Sequence, residues 1–220
     1  MMMPYMCKKV VCFDLDDTLY KEIDFVESGF RLIVESEKRP DLLPKMMGWR
    51  ERGEDVFFNL NKAIGKETSK SEYLKIYRFH IPKITLSEGV EETLNQLKGR
   101  EVILGLITDG RSETQRNKIK ALGLDRWFDN DNVIISEEFG SEKTDERNFR
   151  YYLNKYPGAE YTYVGDNPKK DFIAPNQLGW GTIMLKDNGR NIHVQNINVQ
   201  GAFKPKQTVN TINEIISLIF

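Results

Sequence analysis

The sequence predicts an α/β protein: a doubly wound, mainly parallel, Rossmann-like sheet with an inserted helical cap subdomain. Three observations carry that expectation. Short apolar runs recur at Val10 to Phe13, Val102 to Ile107, Val133 to Ile135, Tyr161 to Val164 and Thr182 to Leu185. Runs of this length without polar alternation read as strands buried on both faces. Helical patterns separate the last four, and strands joined by such crossovers pair in parallel because the chain must return to the same end of the sheet. From about Lys21 to His80, by contrast, helical periodicity continues without a convincing strand, which marks the insertion.

Taken in order, the first strand follows Lys8 and Lys9 and leads directly into acidic residues. In the insertion, Ile23, Val26, Phe30, Ile33 and Val34 form one apolar stripe ended by Pro40, and Phe57, Leu60 and Ile64 form another ended by Gly65. Lys66 to Lys70 reads as a solvated loop. The chain returns through Ile84 to Gly89 into a helix from about Val90 to Leu97 that Gly99 terminates, so residues 1–20 and 84–220 are expected to form the core and 21–83 the cap. Ser112 opens the next helix, with Gln115 as a capping-box partner, Ile119 and Leu122 on one face, and Gly123 as a left-handed stop. A helix from about Asp145 turns Phe149, Tyr152 and Leu153 inward and stops at Pro157 and Gly158. Asp187 to Gln207 is polar and rich in Asn, and reads as a long surface loop. The last helix starts at Thr211 with Glu214 as capping partner and buries Ile212, Ile215, Ile216 and Ile219.

The 220 residues are enough for a substantial core. With 32 basic against 33 acidic residues there is no bulk field to gather nucleic acid or an anionic membrane surface, so an anionic ligand must be held by local chemistry. Cys7 and Cys12 lie five apart on one strand, unsuited to a disulfide framework or a zinc site, and free thiols fit a reducing compartment. No apolar run approaches the roughly 18 residues of a membrane span, and Met1 to Met6 lacks the pattern of a signal peptide. The expectation is a cytoplasmic protein, monomer or homodimer, with neither nucleic acid nor membrane as partner.

The chemistry concentrates at strand ends. Asp14, Asp16 and Asp17 directly follow the first strand, and in a doubly wound sheet ligands bind beyond the carboxyl ends of the strands. Three carboxylates there repel one another unless a divalent cation neutralises them; the plainer alternative is an acidic turn capping the next helix. Two more strands end in Thr108-Asp109-Gly110 and Gly165-Asp166-Asn167-Pro168, and Lys143 precedes the helix after Val133 to Ile135. Each alone has a structural reading: a cap, an Asn-Pro turn, a solvated lysine. All at one edge, they point to a site.

At these residues the sequence resembles the haloacid dehalogenase-like superfamily over nearly its whole length. Its first motif, Asp-x-Asp-x-Thr-Leu, is matched by Asp14, Asp16, Thr18 and Leu19, its second by Thr108, its third by Lys143, and its fourth by Gly165, Asp166 and Asp171. The stretch from Gln115 to Leu124, with Trp127-Phe128-Asp129 and Ser136 to Gly140, resembles the path between motifs two and three in the subfamily whose helical cap follows motif one. Thr144 stands where that subfamily usually has Pro, and Asp109 where Asn is common. The resemblance implies a Mg²⁺-dependent phosphatase with Asp14 as nucleophile and Asp16 as general acid and base. It implies Thr108, Asp109, Gly110 and Lys143 around the phosphate. Asp14, the Asp16 backbone carbonyl and Asp166 are the implied metal ligands, with Asp171 orienting metal-bound water from behind them.

The second acid of motif one favours phosphate esters, because halide release needs no proton. The expected substrate is a small phosphorylated metabolite admitted beneath the cap; a phosphomutase acting on a sugar phosphate, or a metal-dependent phospholigand-binding module without turnover, are the alternatives. His80 and His193 are isolated and read as packed or surface residues. Trp49, Trp127 and Trp180 read as core, with Trp49, Met46 and Met47 as the part of the cap that could meet substrate.

Overall fold

A computed structural model describes residues 7–196 and 198–220. Six parallel strands run in the order β3-β2-β1-β4-β5-β6: β1 Lys9–Phe13, β2 Ile103–Thr108, β3 Val133–Ile135, β4 Glu160–Gly165, β5 Gly181–Leu185 and β6 Gln207–Val209. β1 lies at the centre, with Val10 beside Ile103 of β2 on one flank and Tyr161 of β4 on the other. The chain winds away from β1 in both directions, so the crevice at its carboxyl end is where such a sheet binds ligands.

Period-two alternation sends neighbouring β1 side chains to opposite faces. Val11 and Phe13 join Leu94, Ile119 and Ile215, which come from helices α5 (Val90–Gly99), α6 (Ser112–Ala121) and α10 (Ile215–Ile219). Val10 and Cys12 join Phe149 and Tyr152 of α8 (Arg147–Lys155) and Trp180. The second layer is so close that a Cβ at Gly105 would lie 2.6 Å from both Cys12 Sγ and the Tyr152 hydroxyl. Two short helices, α7 (Ser136–Phe139) and α9 (Ile173–Gln177), complete the layers.

Residues after β1 form a separate helical unit: α1 Glu22–Ser36, α2 Leu43–Glu51, α3 Val56–Ile64 and α4 Lys70–Phe79. Its own apolar cluster includes Val26, Phe30, Ile33, Val34, Met46, Phe57, Leu60 and Tyr73. Phe25 instead faces the main core, and α6 fastens the end of α4: Thr114 Oγ1 donates to the Arg78 carbonyl at 3.1 Å and Asn117 Nδ2 to that of Phe79 at 3.2 Å. The two connecting segments touch where the Ser87 N–H donates to the Leu19 carbonyl at 2.9 Å.

Several local expectations are corrected. Gln115 makes no capping box; the N-cap is Arg111 without a side-chain bond, because the Gln115 amide is buried at the strand ends and donates there. α5 runs through Gly99, and Glu101 takes the left-handed turn with φ 60°. Lys70 belongs to α4 behind a capping box built by Ser69 and Glu72. Gln207 opens a sixth strand, which its polar, exposed sequence conceals, and the start of the polar segment is a turn held by Asp187, whose Oδ1 accepts from the N–H groups of Gly189, Arg190 and Asn191. Leu153 and Ile216 are only half-buried.

Candidate active site

Asp14 continues the β1 ladder, its N–H donating to the Val164 carbonyl at 2.9 Å, so its side chain is fixed at the carboxyl edge. Lys143 reaches the same point from the loop before α8. Its Nζ lies 2.8 Å from Asp14 Oδ1 and 2.7 Å from Asp171 Oδ1, and all three groups are at least 96% buried, with Asp171 wholly so. Two further contacts hold the lysine and the aspartate in place. The Lys143 N–H donates to Asp109 Oδ1 at 3.0 Å, and Asp171 Oδ2 accepts from the N–H groups of Asp166 and Asn167 at 3.0 and 2.7 Å. Gly165 makes room for that turn, since a Cβ there would sit 2.5 Å from Asp171 Oδ2.

The charge on this side does not balance. Asp14, Asp166 and Asp171 offer carboxylate oxygens within 4.8 Å of one another, and Lys143 is the only cation ion-paired with the trio among the described residues. Burial, with Asp171 and Asp16 adding to it against Lys143, pushes Asp14 up to about 8. Burial followed by Asp171 and Asp14 pushes Asp166 up to about 9. Burial opposes the charge on Lys143, yet Asp14 and Asp171 outweigh it and hold the ammonium well above the ordinary lysine value.

Asp16 behaves differently. Burial alone would raise it, but the Lys118 ammonium at 2.6 Å, Gln115 Nε2 at 2.9 Å and the Tyr20 hydroxyl together hold it below the usual carboxylate range. Gln115 Nε2 also donates to Thr108 Oγ1 at 2.6 Å, linking the second strand end to the first. Asp17 lines the cavity these groups share and ties it to the segment after β5, accepting from the N–H groups of Glu22 and Ile192, both at 2.9 Å.

Asp14, Asp16, Thr108, Asp109, Lys143 and Asp166 line one cavity of about 180 Å³, together with Glu22, Lys170 and His193. Gly110 is not in that lining; its N–H donates to Ser136 Oγ at 2.9 Å. Asp171 lies behind it. Trp49, Met46 and Met47 pack in the helical unit's own cluster, and His80 packs on Phe25 with ring centroids 4.8 Å apart.

Sequence reasoning missed the polar segment after β5. Asn191 Nδ2 donates to Asp166 Oδ2 at 2.9 Å, and Gln195 Nε2 to the Asp166 carbonyl at 2.7 Å. Lys21 Nζ donates to Asn191 Oδ1 at 2.6 Å, and Arg190 pairs with Asp24 of α1, so this segment straps the β4 end to the start of the helical unit. No periodicity announces such a strap. Lys118, Glu22 and His193 were also missed; a signal existed for the first, since Gln115 and Lys118 are three apart on one helix face directly after Thr108.

The arrangement, a buried carboxylate beside a buried ammonium and uncompensated acids at a parallel sheet's edge, is the chain's candidate active site, and comparison with known proteins gives its class. The fold is similar to the solved HAD-hydrolase YfnB from Bacillus subtilis bound to magnesium, with TM-score 0.68 and 19% identity over 97% of this chain and 99% of that one. A family model described as haloacid dehalogenase-like hydrolase matches residues 11–185. The chain belongs to that family. It is 31% identical to the glyceraldehyde 3-phosphate phosphatase of Methanocaldococcus jannaschii over 96% of both chains. A shorter match, 40% identical over 54% of this chain and 48% of the relative, is to the phosphoserine phosphatase of Thermus thermophilus. No helix among the described residues is long and apolar enough to cross a membrane.

Proposed function

We propose that this hydrolase is a Mg²⁺-dependent phosphatase that cleaves a small phosphomonoester through an aspartyl-phosphate on Asp14. The observation that carries the reading is the sharing of one small cavity by Asp14, Asp16, Thr108, Lys143 and Asp166. The negative excess of Asp14, Asp166 and Asp171 supports a divalent cation, and hard carboxylate oxygens suit Mg²⁺. Asp14, Asp166 and the Asp16 backbone carbonyl would hold it, with Asp171 behind them. When bound, the ion supplies charge neutralisation on the phosphoryl oxygens.

The remaining steps belong to the protein. Asp14 attacks phosphorus, forming an Asp14 O–P bond as the ester P–O bond breaks, and one difficult displacement becomes two easier ones. Asp16 gives its proton to the departing oxygen, then takes one from the water that attacks the aspartyl-phosphate. Lys143 and Thr108 hold the phosphoryl oxygens, and Lys143 reduces repulsion between Asp14 and the incoming dianion. Asp109 acts through the Lys143 backbone; the Gly110 amide joins the phosphate contacts only by releasing Ser136. Residues 21–83 act as the cap over this cavity, excluding water and bulky esters.

A cavity of about 180 Å³ suits a metabolite rather than a phosphoprotein. The relative aligned over the whole chain makes glyceraldehyde 3-phosphate the first substrate to assay, alongside phosphoserine and nucleoside monophosphates. Phosphate release is expected with Mg²⁺, to be lost with chelator and in Asp14→Asn. Wild-type turnover in Asp14→Asn, or turnover indifferent to chelator, contradicts the reading.

A further inference from the structure

We propose that Lys118 is a positioning residue for proton transfer: from α6 it fixes the carboxylate of Asp16 towards the leaving oxygen. The inference rests on the phosphatase reading and deepens it. Lys118 is 3% exposed, and among the described residues its ammonium makes a salt bridge to Asp16 alone, at 2.6 Å. Burying an ammonium is costly unless it is paired, and an apolar side chain would fill the same space between sheet and helical unit without that cost. The pairing is therefore the feature that needs a reason, and its partner lines the cavity.

The geometry is that of a clamp. Lys118 and Gln115 are three apart and project from one face of α6, so they meet the same carboxylate from one rigid element. Lys118 holds Oδ1, which also accepts from the Tyr20 hydroxyl, and Gln115 Nε2 holds Oδ2 at 2.9 Å. Bonds to both oxygens fix the plane of the carboxylate as well as its place. Gln115 in turn bonds Thr108, so the group that handles the proton and the hydroxyl beside the phosphate are set by one amide. On its far side the ammonium lies 4.5 Å from the centroid of the Phe25 ring and 5.9 Å from that of Tyr20. Both rings belong to the passage from β1 into α1, and a cation over an aromatic face is attracted to it. The seat of Lys118 is thus shared between α6 and the base of the helical unit, and the clamp is complete only with that unit in its present position.

In the first displacement the Asp16 O–H bond breaks and the proton goes to the ester oxygen as its bond to phosphorus breaks and the Asp14 O–P bond forms. In the second, the Asp16 carboxylate takes a proton from water as the water oxygen bonds phosphorus and the Asp14 O–P bond breaks. Lys118 is no party to either transfer; it contributes position and a positive charge beside the carboxylate that forms. A merely structural ion pair would contribute stability and nothing that depends on the leaving group.

That difference is measurable. The quantity is kcat/KM, which reports events up to formation of the aspartyl-phosphate, for two esters with Mg²⁺. Glyceraldehyde 3-phosphate leaves as an alkoxide that must be protonated, whereas 2,4-dinitrophenyl phosphate leaves as a stable phenolate that needs no acid. General acid catalysis is worth about 10²–10⁴-fold. For Lys118→Met the expected loss is about 10²-fold on the alkyl ester and under about 5-fold on the dinitrophenyl ester. Lys118→Gln, which keeps a donor and a polar tip, is the second variant should Met unfold the chain, and the same ordering is expected with a smaller gap. Equal losses on both esters, or no loss on the alkyl ester in a folded variant, overturn the assignment to Lys118 while leaving the phosphatase reading intact. A wild-type enzyme inert on both esters overturns the phosphatase reading itself and the assignment with it.

Discussion

Two sides of the β1 terminus, only two residues apart in the chain, carry opposite electrostatic states. On the sheet side, Asp14 and Asp171 share the Lys143 ammonium with Asp166 close by, and burial pushes Asp14 to about 8 and Asp166 to about 9. On the helical side, Asp16 is matched by Lys118 and two further hydrogen-bond donors, and is held below its ordinary value despite burial. Burial raises the carboxyls on both sides, so desolvation alone does not separate them. What separates them is compensation. On the proposed reading the sheet side is completed by a divalent cation together with the phosphate it neutralises, and the helical side is complete in itself and needs only to point correctly.

The contrast can be broken at its strongest point first. Replacing Lys143 with Met removes the ammonium paired with Asp14 and Asp171; turnover should fall by about 10²–10³-fold, as when a fixed donor to developing charge is lost. Steady-state kinetics with saturating Mg²⁺ checks this, and a loss no larger than that of an exposed lysine would equate the two sides. A smaller effect comes from the strap. Asn191→Leu removes the donor to Asp166 Oδ2 but leaves the aspartate, and Mg²⁺ affinity should weaken about 10-fold, read from the metal dependence of activity and of thermal stability.

The smallest effect sharpens the comparison through pH. Asp14 and Asp166 titrate far above an ordinary unfolded-state value of about 3.9, so between about pH 4 and 8 the folded chain binds more protons than the unfolded one. Without metal, stability contributed by this pair therefore declines as pH rises through that window. A divalent cation takes the place of those protons, so the rise in Tm on adding Mg²⁺ should be larger at pH 8.5 than at pH 6. At about 2–4 °C for each kcal/mol in a chain of this size, the difference is a few degrees. Asp16, held below its ordinary value in the metal-free chain, should contribute nothing to that slope, and a Tm gain independent of pH would mean the two sides titrate alike.

The five apolar strands and the strand-end acids were legible because each is a local signal: a short buried run, then a polar group where the sheet places ligands. β6 was not, since Gln207 and Thr208 are exposed on an edge strand whose side chains carry no apolar pattern. Gln115 was misread for an instructive reason. Ser112 and Gln115 have the spacing of a capping box, but a buried amide within reach of Asp16 and Thr108 has stronger partners there than a solvated helix end offers. The Asn191 and Gln195 contacts to Asp166 depend on how a polar segment folds back across the β4 end, which spacing alone does not encode. Lys118 shows the middle case: visible as a lysine three residues after Gln115 on one face of α6, but meaningful only once Asp16 is seen against it.

The central claim is that Asp14 becomes covalently bonded to phosphorus. Its most direct test is acid quenching of the enzyme within one turnover with Mg²⁺ and 2,4-dinitrophenyl phosphate, in the Asp16→Asn background where breakdown of the intermediate is slowed, followed by peptide mass analysis. A phosphate adduct on the peptide carrying Asp14, abolished by Asp14→Asn, is the predicted result. Turnover with no adduct there, or with an adduct on another residue, would contradict it.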